Sequence, residues 1–224
     1  MTIDYAAARR AMLEGQIRVN DVTDRILQDA LAEIPRELFA PKLKRPLAYS
    51  DVDLPLSADR VMMRPRDFAK LVQALNVGKT DIVLDIASGR GYSSAVLSRL
   101  AAVVVGVESS EELIDKAGEG FDAAGVVNVA LVKADLKAGA PDQGPFDVIF
   151  VNGAVELVPE TWFAQLADGG RLGVVVRERG VGRATVFTRA GGALGSRVVF
   201  DCATPLLPGF ARPKAFDFGA FTPG

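Results

Sequence analysis

The stretch from Asp85 to Tyr92 combines residue types that suit a small-molecule cofactor. It reads Asp-Ile-Ala-Ser-Gly-Arg-Gly-Tyr and follows an apolar run at residues 82–84. Glycines after a strand let the backbone approach a ligand closely, and the start of a following helix favours negative charge. The pattern predicts a strand that ends on Asp85 and a turn opened by Gly89 and Gly91. We therefore expect a nucleotide-like cofactor at this turn.

Two more acidic residues end the following predicted strands and indicate which cofactor binds. Glu108 lies 23 positions after Asp85, and an acidic residue about 20 positions on can bind a ribose diol. Asp85 would repel a pyrophosphate, whereas S-adenosylmethionine places an amino group and a sulfonium there. Asp135 follows the third strand and can accept a hydrogen bond from an adenine amino group. Charge therefore favours S-adenosylmethionine over a dinucleotide.

Each of these residues also has a purely structural interpretation. Asp85 and Asp135 could cap loops, Glu108 could be a solvated strand end, and the glycines could serve the turn alone. Their joint spacing makes ligand binding the favoured interpretation. Tyr92, at a helix start, could pack or contact a ligand, and Asn152 is placed near the reactive end of the cofactor by topology alone.

Composition excludes several kinds of chemistry. The chain has 224 residues, 26 basic and 28 acidic side chains, no histidine and one cysteine. Zinc sites of His and Cys, His-based triads and Cys-His dyads are thereby removed, and we expect no bound metal. The slightly negative charge predicts neither a nucleic-acid partner nor a membrane-binding face. The N-terminus shows no secretion signal, so we expect a cytoplasmic protein.

Alternating strand and helix patterns predict a parallel sheet covered on both faces. Ser109 with Glu112 forms a capping-box pattern, Asn20-Asp21 suits an N-cap, and Gly78 suits a C-cap. Residues 35–66 are expected to be an irregular excursion. The predicted strands are 82–86, 103–107, 126–132, 147–151 and 172–176, followed by a hairpin of 184–188 and 197–200. The predicted helices are 4–14, 22–34 with Ile26 on the buried face, 67–75, and three that begin at Ser93, Ser110 and Pro159, of which the last ends at Gly169-Gly170. A tail rich in Pro and Phe runs from 205 to 224.

These motifs resemble a known family. The glycine turn, the strand 103–108, Phe146-Asp-Val-Ile149 and Leu166-Ala-Asp-Gly-Gly-Arg-Leu172 are similar to successive motifs of class I S-adenosylmethionine-dependent methyltransferases. Gln16-Ile17, Asp21-Val-Thr-Asp24, Ile34-Pro-Arg-Glu-Leu-Phe39, Tyr49 and the hairpin that ends near Val199-Phe200 resemble protein-L-isoaspartate O-methyltransferases, over residues 9 to about 207.

The resemblance implies an α/β fold, a Rossmann-like, doubly wound and mostly parallel sheet with a C-terminal antiparallel hairpin and an N-terminal helical extension. We expect one domain, 1–224, divided into an extension (1–78), a cofactor-binding core (79–178) and a hairpin with a tail (179–224). The implied enzyme methylates a carboxylate of isoaspartyl residues in a protein or peptide. The predicted cofactor-binding residues are Asp85, Ala87, Ser88, Gly89, Gly91, Tyr92, Glu108, Ser109, Asp135, Leu136 and Asn152.

The chain departs from the family pattern at two places. Met63 falls where the family has its active-site Ser, because Pro65 keeps the register of the Thr-Ile-Ser-Gln-Pro motif. A thioether cannot donate a hydrogen bond to a substrate carboxylate, so no catalytic residue is assigned. Arg64 could pair with that carboxylate instead, or it could be a surface residue without a ligand. Ala87 replaces the first glycine of the turn, which is costly only if its φ is positive.

Three other functions remain open at this stage. The same cofactor could serve a different acceptor, which Met63 makes plausible. The chain could bind S-adenosylmethionine without turnover, as a sensor or a structural partner. A dehydrogenase is disfavoured by Asp85 and by the lack of histidine. Residues 35–66, which include Arg64, could act as a lid or as a static cover.

Overall fold

A central sheet of seven strands organises the protein, for which a computed structural model describes residues 3–212. A separate two-stranded hairpin, β1 with β2, precedes it in the chain. In chain order the strands are β1 (Leu54–Pro55), β2 (Val61–Met62), β3 (Ile82–Ile86), β4 (Val103–Glu108), β5 (Val129–Lys133), β6 (Phe146–Val155), β7 (Leu166–Glu178), β8 (Val181–Ala190) and β9 (Ala193–Asp201).

The spatial order of the sheet is β5-β4-β3-β6-β7-β8-β9. Strands β3 to β7 pair in parallel, and β8 and β9 extend the sheet antiparallel. The predicted fold class is confirmed. The strand order reverses between β3 and β6, and open α/β sheets bind their ligands at such a switch point, outside the carboxyl ends of the strands.

Helices cover both faces of this sheet. In chain order they are α1 (Tyr5–Met12), α2 (Arg25–Glu33), α3 (Pro65–Leu75), α4 (Tyr92–Leu97), α5 (Glu111–Ala124) and α6 (Glu160–Ala164). Residues of α1 to α5 pack with Val83, Val104 and Phe150 of the sheet in one buried cluster. Trp162 of α6 packs with Leu84 and other residues on the opposite face. Because strand residues alternate between the two faces, β3, β4, β6 and β7 each contribute buried residues to both clusters.

The excursion at residues 35–66 is more ordered than its prolines suggest. Two short 3-10 turns, Arg36–Phe39 and Lys42–Leu47, lead into β1 and β2. The hairpin was not predicted, since each strand has only two residues. We call residues 54–62 the cover hairpin, because its tip lies over the glycine turn.

Several predicted element ends are wrong. Strand β5 begins at Val129, not at 126, because the N–H of Val126 donates to Phe121 O at the exit of α5. Strand β7 begins at Leu166, so Gly169-Gly170 lie within the strand, where β7 pairs irregularly with β6. The antiparallel pair predicted at 184–188 and 197–200 is longer at both ends. Of the predicted tail, residues 213–224 lie outside the described residues.

The predicted helix caps are also corrected. Asp24, not Asn20-Asp21, caps α2 by accepting from the N–H groups of Ile26 and Leu27, and Ile26 is 57% exposed instead of buried. Ser110, not Ser109, caps α5. Asn76, not Gly78, takes the left-handed conformation that ends α3, and it lies two residues before Gly78.

Candidate cofactor and acceptor site

Asp85 and Asn152 join the two strands that flank the switch point. Asn152 Nδ2 of β6 donates to Asp85 Oδ1 of β3 at 2.6 Å. Ser93 Oγ and Ser94 Oγ, from the start of α4, donate to Asp85 Oδ2 at 2.7 and 2.5 Å. Burial raises the pKa of Asp85 to about 7, while these three hydrogen bonds act in the opposite direction. Asp85 therefore connects β3 to β6 and to the start of α4, and these contacts fix the position of the turn.

The glycine turn has the backbone conformation that its sequence predicts. Gly89 and Gly91 have φ of +58° and +88°. Ala87 has φ of +58° as well, so the substitution falls in the left-handed region that costs an alanine about 1–2 kcal/mol. Of the two alternatives for Ala87, the costly one holds. A Cβ at Gly91 would lie 2.7 Å from the ring of Phe121, so this glycine also permits close packing of α5.

Glu108 lies beside this turn and is wholly buried. Gly89 N donates to its Oε2 at 3.1 Å, and Ser109 N donates to its Oε1 at 2.7 Å. The acidic residue predicted for a ribose diol is thus at the glycine turn. Its interpretation as a solvated strand end is excluded by its burial.

Arg60 of the cover hairpin already binds this carboxylate. Its Nε donates to Glu108 Oε2 and its Nη2 to Glu108 Oε1, both at 3.1 Å. Nη2 also donates to Ser109 Oγ at 3.0 Å. Arg60 is only 5% exposed. The sequence does not predict this residue, because its partner is 48 positions away in the chain and no local sequence pattern indicates the pairing.

Arg36 is the second functional candidate that the sequence did not single out. It is fully buried, and its Nη2 donates to Met63 O at 2.5 Å while its Nε donates to Ala48 O at 2.7 Å. The guanidinium lies 4.6 Å from the ring centroid of Tyr92. Burial lowers the pKa of Arg36, against the opposing influence of Tyr92. Arg36 thus fixes the backbone at the position of the missing serine.

The two residues that replace the family motif differ in their placement. Met63 is buried and lines a cavity at the turn, with Tyr92 and Asn152. Arg64 is not among the lining residues, and its Nε lies 3.9 Å from Asp53 and 3.6 Å from Asp67. Met63 therefore lines the cavity, whereas Arg64, the next residue in the chain, lies beside two carboxylates.

The remaining predicted residues lie around the same edge. Ser88 lines the cavity, and its buried Oγ has no hydrogen-bond partner among the described residues. Asp135 is exposed, and its Oδ1 caps a turn by accepting from Lys137 N at 2.8 Å. Leu136 is buried, and its carbonyl accepts from Trp162 Nε1 at 2.8 Å. Asp135 thus caps a loop through Oδ1, which is the role that its purely structural interpretation predicted.

The cavity itself is small. It has a volume of about 10 Å³, which is roughly room for one water molecule. Leu56, Val61 and Met62 of the cover hairpin line it together with Ser88 and Asn152. Across residues 3–212, no cluster of three or more His, Cys, Asp or Glu could hold a metal ion. The same residues contain no helix that is long and apolar enough to span a bilayer.

Comparisons with known proteins agree on one family. The model of the family "Protein-L-isoaspartate(D-aspartate) O-methyltransferase (PCMT)" matches residues 8–203. The protein-L-isoaspartate O-methyltransferase of Roseiflexus sp. strain RS-1 is 37% identical over 93% of this chain and 96% of its own. A solved protein-L-isoaspartate O-methyltransferase is 28% identical, with a TM-score of 0.77 over 90% of this chain and 66% of that one. A Plasmodium falciparum protein solved with S-adenosyl-L-homocysteine has the same fold, with a TM-score of 0.78, 19% identity and coverage of 92% and 99%. The chain therefore belongs to the protein-L-isoaspartate O-methyltransferase family, as its sequence motifs predicted.

Proposed function

We propose that this protein transfers the methyl group of S-adenosylmethionine to a carboxylate, and that the carboxylate belongs to an isoaspartyl residue of a protein or peptide. The observation that carries the proposal is the junction at the switch point, where the glycine turn connects the Asp85 network to Glu108 in a member of this family. We place this activity in the cytoplasm, since the thiol of Cys202 is free and buried, as suits a reducing compartment.

The residues at this edge suit the cofactor. The carboxylate of Glu108 can accept from both hydroxyls of a ribose. The positive φ values of Gly89 and Gly91 let the backbone approach a ligand. Ser88 Oγ is buried without a partner among residues 3–212, and such an atom is ordinarily paired in a native structure, so a polar ligand atom would satisfy it.

The chain's own contribution is alignment and exclusion of water. Bound S-adenosylmethionine supplies an electrophilic methyl group, and a substrate carboxylate is already ionised at neutral pH. No general base is needed, which suits a chain without histidine. Met62, Met63, Phe68 and Tyr92 line the cavity with apolar groups. A cavity of about 10 Å³ is too small for two reactants, so the cover hairpin must move before these walls can align the reactants and keep water away from the sulfonium.

Arg64 is proposed as the residue that pairs with the acceptor carboxylate. Its guanidinium would have to release Asp53 and Asp67 to do so. Arg64→Ala should then raise the KM for an isoaspartyl peptide sharply and leave its folding intact. Unchanged kinetics would remove Arg64 from the acceptor site.

The activity is tested by transfer of a radiolabelled methyl group to an isoaspartyl peptide, with the same peptide carrying ordinary aspartate as the control. Met63→Ser restores the hydroxyl of the family motif and should raise the rate, and Met63→Ala opens the same space without a hydroxyl. A gain in the serine variant alone assigns the effect to hydrogen bonding. The absence of label on the isoaspartyl peptide with every variant would reject this acceptor.

A second candidate is the same reaction on a different acceptor, and Met63 favours it. A buried thioether in place of a hydroxyl leaves the acceptor side of the cavity without a side-chain donor at that position. Label that appears on whole-cell protein treated to remove isoaspartate, but not on the isoaspartyl peptide, would select this candidate.

A further inference from the structure

The ribose-binding carboxylate of this chain is already fully occupied. Each oxygen of Glu108 accepts one hydrogen bond from Arg60 and at least one from a backbone N–H, of Ser109 at Oε1 and of Gly89 at Oε2. Ser110 N at 3.2 Å and Ser109 Oγ at 3.3 Å also donate to Oε1, which brings the donors of this oxygen to four. A carboxylate has about four acceptor positions. A ribose diol can therefore only replace the guanidinium, not join it.

The cover hairpin also contacts the glycine turn beside Glu108, through Leu56. A Cβ built on Gly89 would lie 2.8 Å from Leu56 Cδ1, so the leucine rests directly on the glycine turn. The tip between these two residues is held by its own hydrogen bond, from Leu56 N to Arg60 O at 2.8 Å. Leu56 and Arg60 therefore belong to one hydrogen-bonded tip, which contacts both Gly89 and Glu108.

We propose that Arg60 is an intramolecular competitor of the cofactor, which binds Glu108 in place of the ribose and sets the affinity of this chain for S-adenosylmethionine. The inference rests on the proposed function, because it assumes that Glu108 receives the ribose diol. It adds an affinity-determining residue from outside the sheet. The cofactor gains its contacts only after the guanidinium leaves a buried, charge-assisted pair, so binding is weaker than the glycine turn and Glu108 alone would give.

The hairpin also offers Arg60 a second partner. Its Nη1 already lies 3.5 Å from Asp59 Oδ2, and the carboxylate of Asp59 is 54% exposed. When Arg60 leaves Glu108, it can keep a carboxylate partner by turning toward Asp59 in solvent. The charge of the guanidinium therefore stays paired in the open arrangement, which makes the exchange feasible without an unpaired buried charge on the hairpin.

The test is calorimetric titration with S-adenosylhomocysteine. Arg60→Ala and Arg60→Gln should bind it at least tenfold more tightly than the wild type. The glutamine variant keeps one neutral donor for Glu108 and so protects against failure to fold. Asp59→Asn removes the second partner and should weaken binding a few-fold. Arg66→Ala loses the same charge on the first turn of α3, where Arg66 pairs with Asp67, and should bind within twofold of the wild type.

A second measurement checks the same competition without a titration. The stability lost in Arg60→Gln should be smaller with saturating S-adenosylhomocysteine than without it, by the same factor as the gain in affinity, because the two form a thermodynamic cycle. If the wild type binds and both Arg60 variants bind equally well or more weakly, the competition is refuted and the proposed function stands. If neither the wild type nor any variant binds S-adenosylhomocysteine, the proposed cofactor function fails and the competition fails with it.

Discussion

The edge of the sheet and the cover hairpin build one site by different means. The edge holds Asp85, the glycine turn and Glu108 on short connections between buried strands, and its residues follow the spacing of the family. The hairpin supplies Arg60 and leads directly into Met63, which replaces the family serine. Glu108 belongs to the edge, yet its counter-ion comes from the hairpin. The difference teaches that a residue outside the binding motif can occupy the carboxylate that the motif provides.

The largest loss of stability is expected from removing Arg36, whose buried guanidinium holds the backbone of Met63. Arg36→Ala removes donors from two buried carbonyls and leaves a cavity, so we expect a loss of about 4 kcal/mol in the free energy of unfolding. Urea denaturation measures it, with the exposed Arg10→Ala as the control for loss of charge. A loss below about 1 kcal/mol would mean that the end of the hairpin holds its position without Arg36.

The free energy of unfolding should depend on pH because of Asp85 at the edge of the sheet. An unfolded aspartate loses its proton near pH 4, whereas burial keeps Asp85 protonated up to about pH 7 in the folded state. Between these values the folded state binds more protons, so the stability that Asp85 contributes falls as the pH rises, by roughly 3 kcal/mol over the whole range. Asp85→Asn should lose this slope. Urea titrations from pH 4.5 to 7.5 test it, with the exposed Asp115→Asn as the control; equal slopes in wild type and Asp85→Asn would contradict it.

A smaller effect separates backbone strain from packing at the glycine turn. Gly91→Ala puts a Cβ in the left-handed region and within 2.7 Å of Phe121, so we expect a loss of about 2 kcal/mol. Gly125 also has a positive φ but no neighbour within 4 Å, so Gly125→Ala should cost about 1 kcal/mol. Thermal unfolding of the two variants compares them. Equal losses would show that the contact with Phe121 contributes nothing.

The smallest effect is expected where the chain has already departed from the family. Ala87→Gly relieves a strained backbone, but it removes a buried methyl group and makes the unfolded chain more flexible. These contributions oppose each other, so the free energy of unfolding should change by less than about 1 kcal/mol. A gain above about 2 kcal/mol, measured by urea denaturation, would show that the strain at Ala87 is larger than its φ implies.

The sequence predicts the edge well and the hairpin poorly for a physical reason. Asp85, Gly89 and Glu108 take their positions from strands and a turn, which local periodicity reveals. Arg60 and Arg36 take their roles from partners 48 and 27 positions away in the chain, and no local pattern encodes such a pairing. Arg36 lies within the Ile-Pro-Arg-Glu motif, so the sequence marks its position but not its role. The cap of α5 was misplaced by one residue because Ser109 and Ser110 are equally good N-cap residues, and only the turn after β4 decides between them.

The position of Arg36 has a consequence for how the site forms during folding. One side chain connects the 3-10 turn at Arg36–Phe39 to the carbonyls of Ala48 and Met63 and to the ring of Tyr92 at the start of α4. These contacts close successively longer loops of chain, and the entropy of closing them must be recovered before they stabilise anything. The sheet edge depends on a contact of even longer range, because Asp85 and Asn152 are 67 positions apart. Contacts of such long range slow folding, so both the glycine turn and the segment that holds Met63 reach their final arrangement only after distant parts of the chain have docked.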